Sequence, residues 1–316
     1  MKNKGLNRLI LFTCTVIFSA SILCHCGPSI QSGEPHVKNV IDSILKTRDS
    51  IEKKISGQKN AGDHPVFFIS FWDFDGTILK GDCSEGYRAD NRVVYKGLIE
   101  ICIDRGYSSQ YRPGQFESFW EKYMNIDKNQ GHYQSIVFIP RTFAGADIHD
   151  ILKLSEKQMK EVYSEYFFTS SMDIMRYLQH EGIRVYVVSA SPDFFVKGAA
   201  KSLKVQMEHF YGVKVKTDKG EITREIQQPV TYAEGKTKTI QNILDEIKNR
   251  HKTQHVYPIA GFGNSYHTDG DFLKWIASRS LPAGKAVTLM INGGETPSTY
   301  RGIFSEVQQS EVVSGK

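Results

Sequence analysis

The sequence predicts an α/β protein, a doubly wound parallel sheet with helices on both faces and a helical cap inserted into it. Three observations predict this. Four short apolar runs, at 66–72, 183–188, 257–262 and 286–291, have the unbroken hydrophobicity of strands buried on both faces. Helical patterns at 171–180, 193–203 and 236–248 separate them, and strands alternating with helices imply a parallel sheet. The runs also stop abruptly at polar residues: Asp73, Ser189, Gly263-Asn264 and Asn292-Gly293-Gly294. In such a sheet these residues converge beyond the carboxyl ends of the strands, where ligands bind.

Taken in order, the chain opens with Lys2, Lys4 and Arg8 before an uncharged apolar stretch, 9–23. That stretch is short for a bilayer span and has the length of a signal-peptide core. Residues 1–26 are therefore expected to be a signal peptide or lipoprotein signal, and the rest to be exported, periplasmic or lipid-anchored to the bacterial envelope. Cys24 and Cys26 are the candidate lipidation sites, Ser19-Ala20-Ser21 the competing cleavage site, and an uncleaved anchor the third reading.

Residues 27–63 read as a linker followed by a helix, because Val37, Val40, Ile41, Ile44 and Leu45 recur at helical spacing. The polar, Gly-containing stretch 57–64 is expected to be a loop. The first part of the core is 64–80, the inserted cap 81–170, and the second part of the core 171–316. The cap follows from the gap between the first two strands, which is too long for one crossover and rich in helical and aromatic patterns.

With 316 residues, 40% apolar and 24% charged, the chain can bury a substantial core as an ordinary globular protein. The net charge of +5 includes no run of five or six basic residues, so no nucleic-acid arm is predicted; a small anionic substrate is. Beyond the leader only Cys83 and Cys102 remain, either as a disulfide in an oxidising compartment or as two buried thiols.

The strongest chemical signal is Asp73-Phe74-Asp75-Gly76-Thr77 directly after the 66–72 run. Two carboxylates at a strand mouth repel each other and lose hydration unless a cation lies between them. Mg²⁺ suits such a place, since it takes one or two carboxylates together with phosphate oxygens and waters. A calcium loop would need Gly at its sixth position, where Ile78 stands. A surface Asp-Gly turn is the competing reading, and the apolar run before it argues for burial.

At these residues the chain resembles the haloacid dehalogenase superfamily, whose first motif is a strand followed by Asp-x-Asp-x-Thr. Val185-Tyr186-Val187-Val188-Ser189-Ala190-Ser191 is similar to the second motif, Gly235-Lys236 to the third, and Gly261-Phe262-Gly263-Asn264-Ser265-Tyr266-His267-Thr268-Asp269 to the fourth. The resemblance implies a Rossmann-like core and a phosphatase with Asp73 as nucleophile and Asp75 as acid and base. It also implies that Ser189 and Lys236 hold the phosphoryl oxygens with help from Gly76 and Thr77, and that Mg²⁺ is held by Asp73, Asp75, Asn264 and Asp269. Asp75 argues against the family's dehalogenases, which lack an acid there. Asn264 departs from the usual Gly-Asp and removes one negative charge.

The cap, Ser189-Ala190-Ser191-Pro192 and Glu234-Gly235-Lys236 look most like the phosphoserine-phosphatase branch and, within it, bacterial phosphorylcholine phosphatases. The implied substrate is a small phosphomonoester such as phosphorylcholine or a phospho-amino acid. A phosphotransferase on the same fold and a non-catalytic exported binding protein are the alternatives. Phe116, Phe119, Trp120 and Tyr123 follow helical spacing and read as a core face, Trp72 as core, and Glu85 as a loop acid able to meet a substrate cation. His251 and His255 lack the Glu that a zinc site would need; His267 receives no role.

Overall fold

The computed structural model describes residues 27–57 and 64–315. The expectations for residues 1–26, with Cys24 and Cys26, lie outside the described residues, as do positions 58–63 of the 57–64 loop. Among the described residues no helix is long and apolar enough to cross a membrane.

Along the chain come α1 (His36–Ser56), β1 (Phe67–Trp72), a hairpin of β2 (Gly86–Ala89) and β3 (Arg92–Lys96), α2 (Leu98–Asp104), α3 (Phe116–Gln130), α4 (His132–Arg141) and α5 (Ile148–Glu161). Then follow α6 (Thr169–His180), β4 (Arg184–Pro192), α7 (Asp193–Val196), α8 (Ala200–Leu203), β5 (Phe210–Val213), and a second hairpin of β6 (Val215–Asp218) and β7 (Glu221–Ile226). The chain closes with α9 (Glu234–His251), β8 (Val256–Gly263), α10 (Gly270–Ala277), β9 (Val287–Ile291) and β10 (Ser305–Val307).

Six strands form a parallel sheet in the order β10-β9-β8-β1-β4-β5. The strand order runs outward from β1 through β4 and β5, then resumes on the other side through β8, β9 and β10. That reversal opens a crevice beyond the carboxyl ends of β1, β4 and β8.

Period-two alternation sends the side chains of β1 to opposite faces. Phe68 and Trp72 join the cluster that includes Val40, Ile44, Ile174 and Leu178 from α1 and α6. Ile69 and Phe71 join Ile240, Leu244, Phe272 and Ile276 from α9 and α10. Trp72, fully buried, stacks on Phe262 at 3.6 Å between ring centres and donates its indole N–H to Ser70 Oγ at 3.0 Å. Each such large apolar side chain contributes about 1.5–3 kcal/mol by leaving water. The residues on either side of the crevice are thus anchored by core packing.

Some features differ from the sequence reading. The stretch before α1 is pinned rather than slack: the N–H groups of Gln31 and Ser32 both donate to buried Asp173 at 2.7 Å, and that of Gly33 donates to Glu311 at 2.9 Å. The segment 193–203 is α7, a 3₁₀ turn at Lys197–Ala199 and α8, since Gly198 weakens the helix and lets the backbone press against Ser155 of α5. Segment 81–170 is not wholly helical, because Asp90 and Asn91, with φ of 49° and 60°, make the tight turn of the β2–β3 hairpin. Of the two alternatives left open for Cys83 and Cys102, the structure has the free, buried thiols.

Candidate active site

The loop that carries Asp73 is built by backbone geometry. Gly76 has φ of +74°, which only glycine adopts without strain, and a Cβ there would lie 1.9 Å from Asn264 Nδ2. Its N–H donates to Leu79 O at 2.7 Å, curling the chain back immediately after β1. The Thr77 hydroxyl, fully buried, donates to Asp73 Oδ2 at 3.0 Å, and the Asp73 N–H donates to Phe262 O at 2.8 Å. Gly76 and Thr77 therefore shape the loop and hold the carboxylate, with their expected donors already engaged away from a phosphoryl group.

Lys236 enters from the first turn of α9. Ala233, just ahead of it, holds φ of +48° and ψ of −123°, a conformation costing on the order of 1–3 kcal/mol for a residue with a Cβ. A Cβ at Gly235 would lie 1.8 Å from Val230 O. This tight turn delivers the lysine fully buried, its Nζ 2.6 Å from both Asp73 Oδ1 and Asp269 Oδ1.

The other oxygen of Asp269 accepts the N–H groups of Asn264 and Ser265 at 2.9 and 3.0 Å. Asp269, 0% exposed and not among the residues that line the cavity, sits behind the lysine and braces the β8 loop instead of facing the crevice as a metal ligand.

Four of the sequence-selected residues, Asp73, Asp75, Ser189 and Asn264, line one cavity of about 280 Å³. Lys236 and Asp269 back it from behind Asp73. Asp75 Oδ1 accepts the Cys83 N–H at 2.7 Å, and its Oδ2 accepts the Ser191 hydroxyl at 2.7 Å and the Ser189 hydroxyl at 3.4 Å. The remaining wall comes from Asp82, Ser84 and Glu85 and from Tyr123, His132, Ile136 and Ile139 of α3 and α4. His267 is exposed, and the His251–His255 stretch is elsewhere, at the end of α9.

Electrostatically the cavity is rich in acids. Desolvation first, then the Asp269 charge, pushes the Asp73 carboxyl up to about 7 against the pull of Lys236. Burial alone would strip Lys236 of its proton, but the Asp269 and Asp73 carboxylates outweigh it and keep the ammonium above its ordinary range. Asp75 is raised well above the usual carboxylate range by desolvation, then by Asp82 and Asp73. Asp82 is raised by desolvation. Burial also drives the Cys83 thiol far up, leaving it an inert wall.

One buried ammonium against this many acids leaves an excess of negative charge that a divalent cation would neutralise. The Asn264 side chain lines the cavity and makes no hydrogen bond to any described residue, so its carbonyl oxygen is available. The donor set, the Asp73 carboxylate and this amide oxygen with the Asp75 carboxyl beside them, is the hard-oxygen chemistry that Mg²⁺ selects. These residues fit the ion.

Comparison with known proteins bears on the same span. The family model for haloacid dehalogenase-like hydrolases matches residues 70–269. The chain belongs to that family. A Bordetella pertussis Tohama I protein of unknown function is similar in fold at 14% identity and TM-score 0.56, over 77% of this chain and 99% of its own. So is a functionally unknown Anaerococcus prevotii protein, at 16% identity and TM-score 0.52, over 87% of this chain and 96% of its own. A substrate-bound phosphoserine phosphatase aligns at 14% identity over 77% of this chain and 93% of its own, but its TM-score of 0.42 is too loose to carry its activity over. No curated protein matches the sequence significantly.

The haloacid dehalogenase-like motifs led to Asp73, Asp75, Ser189, Lys236 and Asn264, but not to Asp82, Ser84, Ser191 or His132. A signal for Ser191 existed: it lies two residues past Ser189 on the same strand, hence on the same face. For Asp82 and Ser84 the signal was their place immediately after the nucleophile loop, where the chain must pass the crevice again. Gln309 was also missed. It is buried, and its Nε2 donates to Thr77 O at 2.8 Å, steadying the loop from the far end of the chain.

Proposed function

We propose that this hydrolase is a Mg²⁺-dependent phosphomonoesterase acting on a small molecule with a cationic end. The carrying observation is Asp73, held at 2.6 Å by buried Lys236, facing a cavity shared with Asp75 and Ser189. A carboxylate fixed by a cation and opposed by a second carboxyl is the equipment for covalent phosphoryl transfer.

In this reading an Asp73 oxygen attacks phosphorus in line, and the bond to the leaving oxygen breaks as that oxygen takes the proton of Asp75. Water then attacks the phosphoaspartate, returning a proton to Asp75 and releasing phosphate. Ser189 and Lys236 hold charge that spreads over the phosphoryl oxygens. Asp73 and Asn264 would hold Mg²⁺, which when bound supplies charge neutralisation at the phosphoryl group; Asp75, expected from the sequence as a further ligand, has its oxygens taken by Cys83, Ser191 and Ser189 and serves as the acid and base. Residues 81–170 serve as the cap that closes over the substrate.

The substrate's cationic end is read from the wall opposite the nucleophile. Glu85 opens onto the cavity and accepts the Tyr123 hydroxyl at 2.8 Å. Desolvation, then the Asp82 charge, pushes its carboxyl up to about 7. Its charge, present only above that pH, attracts an ammonium, so KM for an ammonium-bearing phosphomonoester is expected to fall several-fold between about pH 6 and about pH 8. A neutral-tailed phosphomonoester serves as the reference for the phosphate's own titration. Glu85→Gln should flatten the difference, and an unchanged profile would remove Glu85 from the substrate site.

The deciding experiment is phosphate release from a panel of phosphomonoesters, with and without Mg²⁺. Metal-dependent hydrolysis supports the reading. Transfer to an added alcohol exceeding hydrolysis would make it a phosphotransferase, and no turnover would favour a binding protein. Asn264→Asp should tighten Mg²⁺ binding by about tenfold or more in calorimetry, since a contact charge is worth several kcal/mol even at an effective dielectric of ~20. Unchanged affinity would exclude Asn264 from the metal shell.

A further inference from the structure

Asp75 is held by a chain of hydroxyl groups that the family motifs do not explain. Ser84 Oγ, 2% exposed, donates to Ser191 Oγ at 2.9 Å, and Ser191 Oγ, in a residue 7% exposed, donates to Asp75 Oδ2 at 2.7 Å. Each hydroxyl has one proton, so the chain has a direction, and every donor in it points toward the carboxyl. The Ser191 N–H also donates to Ser189 Oγ at 3.0 Å, which turns the Ser189 hydroxyl toward the same Oδ2 at 3.4 Å. Oδ2 thus faces two hydroxyl donors, whereas Oδ1 accepts only the Cys83 N–H.

We propose that Ser191, backed by Ser84, is a positioning residue that fixes the carboxyl plane of Asp75 for proton transfer to the departing oxygen. This rests on the phosphatase reading above. In the step concerned, the Asp73 oxygen–phosphorus bond forms, the bond from phosphorus to the leaving oxygen breaks, and the electron pair on that oxygen takes the proton that Asp75 donates. Ser84 lies in the segment following the nucleophile loop and Ser191 at the end of β4. The orientation of the acid therefore depends on two separate parts of the chain meeting.

The test uses the need for that proton. An alkoxide is a poor leaving group and needs protonation, whereas a nitrophenolate needs almost none. Values of kcat/KM, which cover steps through formation of the phosphoenzyme, are measured for an alkyl phosphate and for p-nitrophenyl phosphate. Ser191→Ala should lower the alkyl value by roughly 10- to 100-fold, a part of the full general-acid contribution of about 10²–10⁴, and leave the aryl value nearly unchanged. Asp75→Asn should show the same pattern with larger losses, and Ser84→Ala the same with smaller ones. Ser191→Thr, which keeps the hydroxyl, should retain the wild-type ratio of the two substrates.

Equal losses on both substrates, or none on the alkyl ester, would overturn the positioning role while leaving the phosphatase reading intact. Should Ser191→Ala fail to fold, Ser84→Ala and Ser191→Thr decide by the same ratio. A wild-type enzyme that hydrolyses neither ester would overturn the phosphatase reading itself, and this proposal with it.

Discussion

Asp73→Asn is expected to abolish turnover, with phosphate release falling by about 10⁴- to 10⁶-fold, the scale of losing a covalent nucleophile or its partner. The substitution is nearly isosteric, so the loop fixed by Gly76 and by the Thr77 hydroxyl can remain. What disappears is the oxygen nucleophile and one unit of negative charge at the crevice. Substrate affinity should therefore persist or increase, because a dianionic phosphate meets one carboxylate fewer. The measurement is kcat together with equilibrium binding of substrate to the variant. Residual activity above roughly 1% of wild type would mean that the chemistry does not pass through Asp73.

The second large effect concerns stability. Lys236→Met should destabilise the fold by about 3–5 kcal/mol near pH 8, because it leaves two carboxylates buried without their cation. Asp73 and Asp269 are 4% and 0% exposed, and both rely on the same Nζ at 2.6 Å. The penalty should depend on pH. Without Lys236 the carboxyl pKa values in the folded state rise above their unfolded values, so the folded state binds more protons. The loss is then complete above the raised folded pKa values and shrinks as pH falls through them. Urea unfolding of wild type and variant at several pH values reads this directly; a pH-independent difference would show that the two acids do not bear the cost.

Much of this arrangement was legible in the sequence for physical reasons. β1, β4, β8 and β9 are buried on both faces, which writes them as unbroken apolar runs, and the residues that end them must project into the crevice. β10 left no such trace: Ser305-Glu306-Val307 is a largely exposed edge strand with no apolar alternation. β2 and β3 were signalled only by Asp90-Asn91, a turn pair without glycine, and were absorbed into the helical pattern around them. The segment before α1 has the composition of a linker, and what orders it is Asp173 and Glu311, far away in sequence. Long-range polar contacts of that kind have no local periodicity to read. The same holds for Ser84 and Ser191, which meet across 107 positions.

The bond from Gln309 to Thr77 O bears on the order in which the protein is made. Its two ends are 232 positions apart, and Gln309 also accepts the hydroxyls of Ser170 and Ser171. During synthesis Asp73 and its loop leave the ribosome ahead of Gln309, and β1 can find β4 well before residue 309 exists. Until then the Thr77 carbonyl has only Ser171 as a side-chain donor. The loop that carries Asp73 is thus made 232 positions ahead of the side chain that helps to secure it, so a growing chain holds that loop in an unfinished setting until residue 309 has been added.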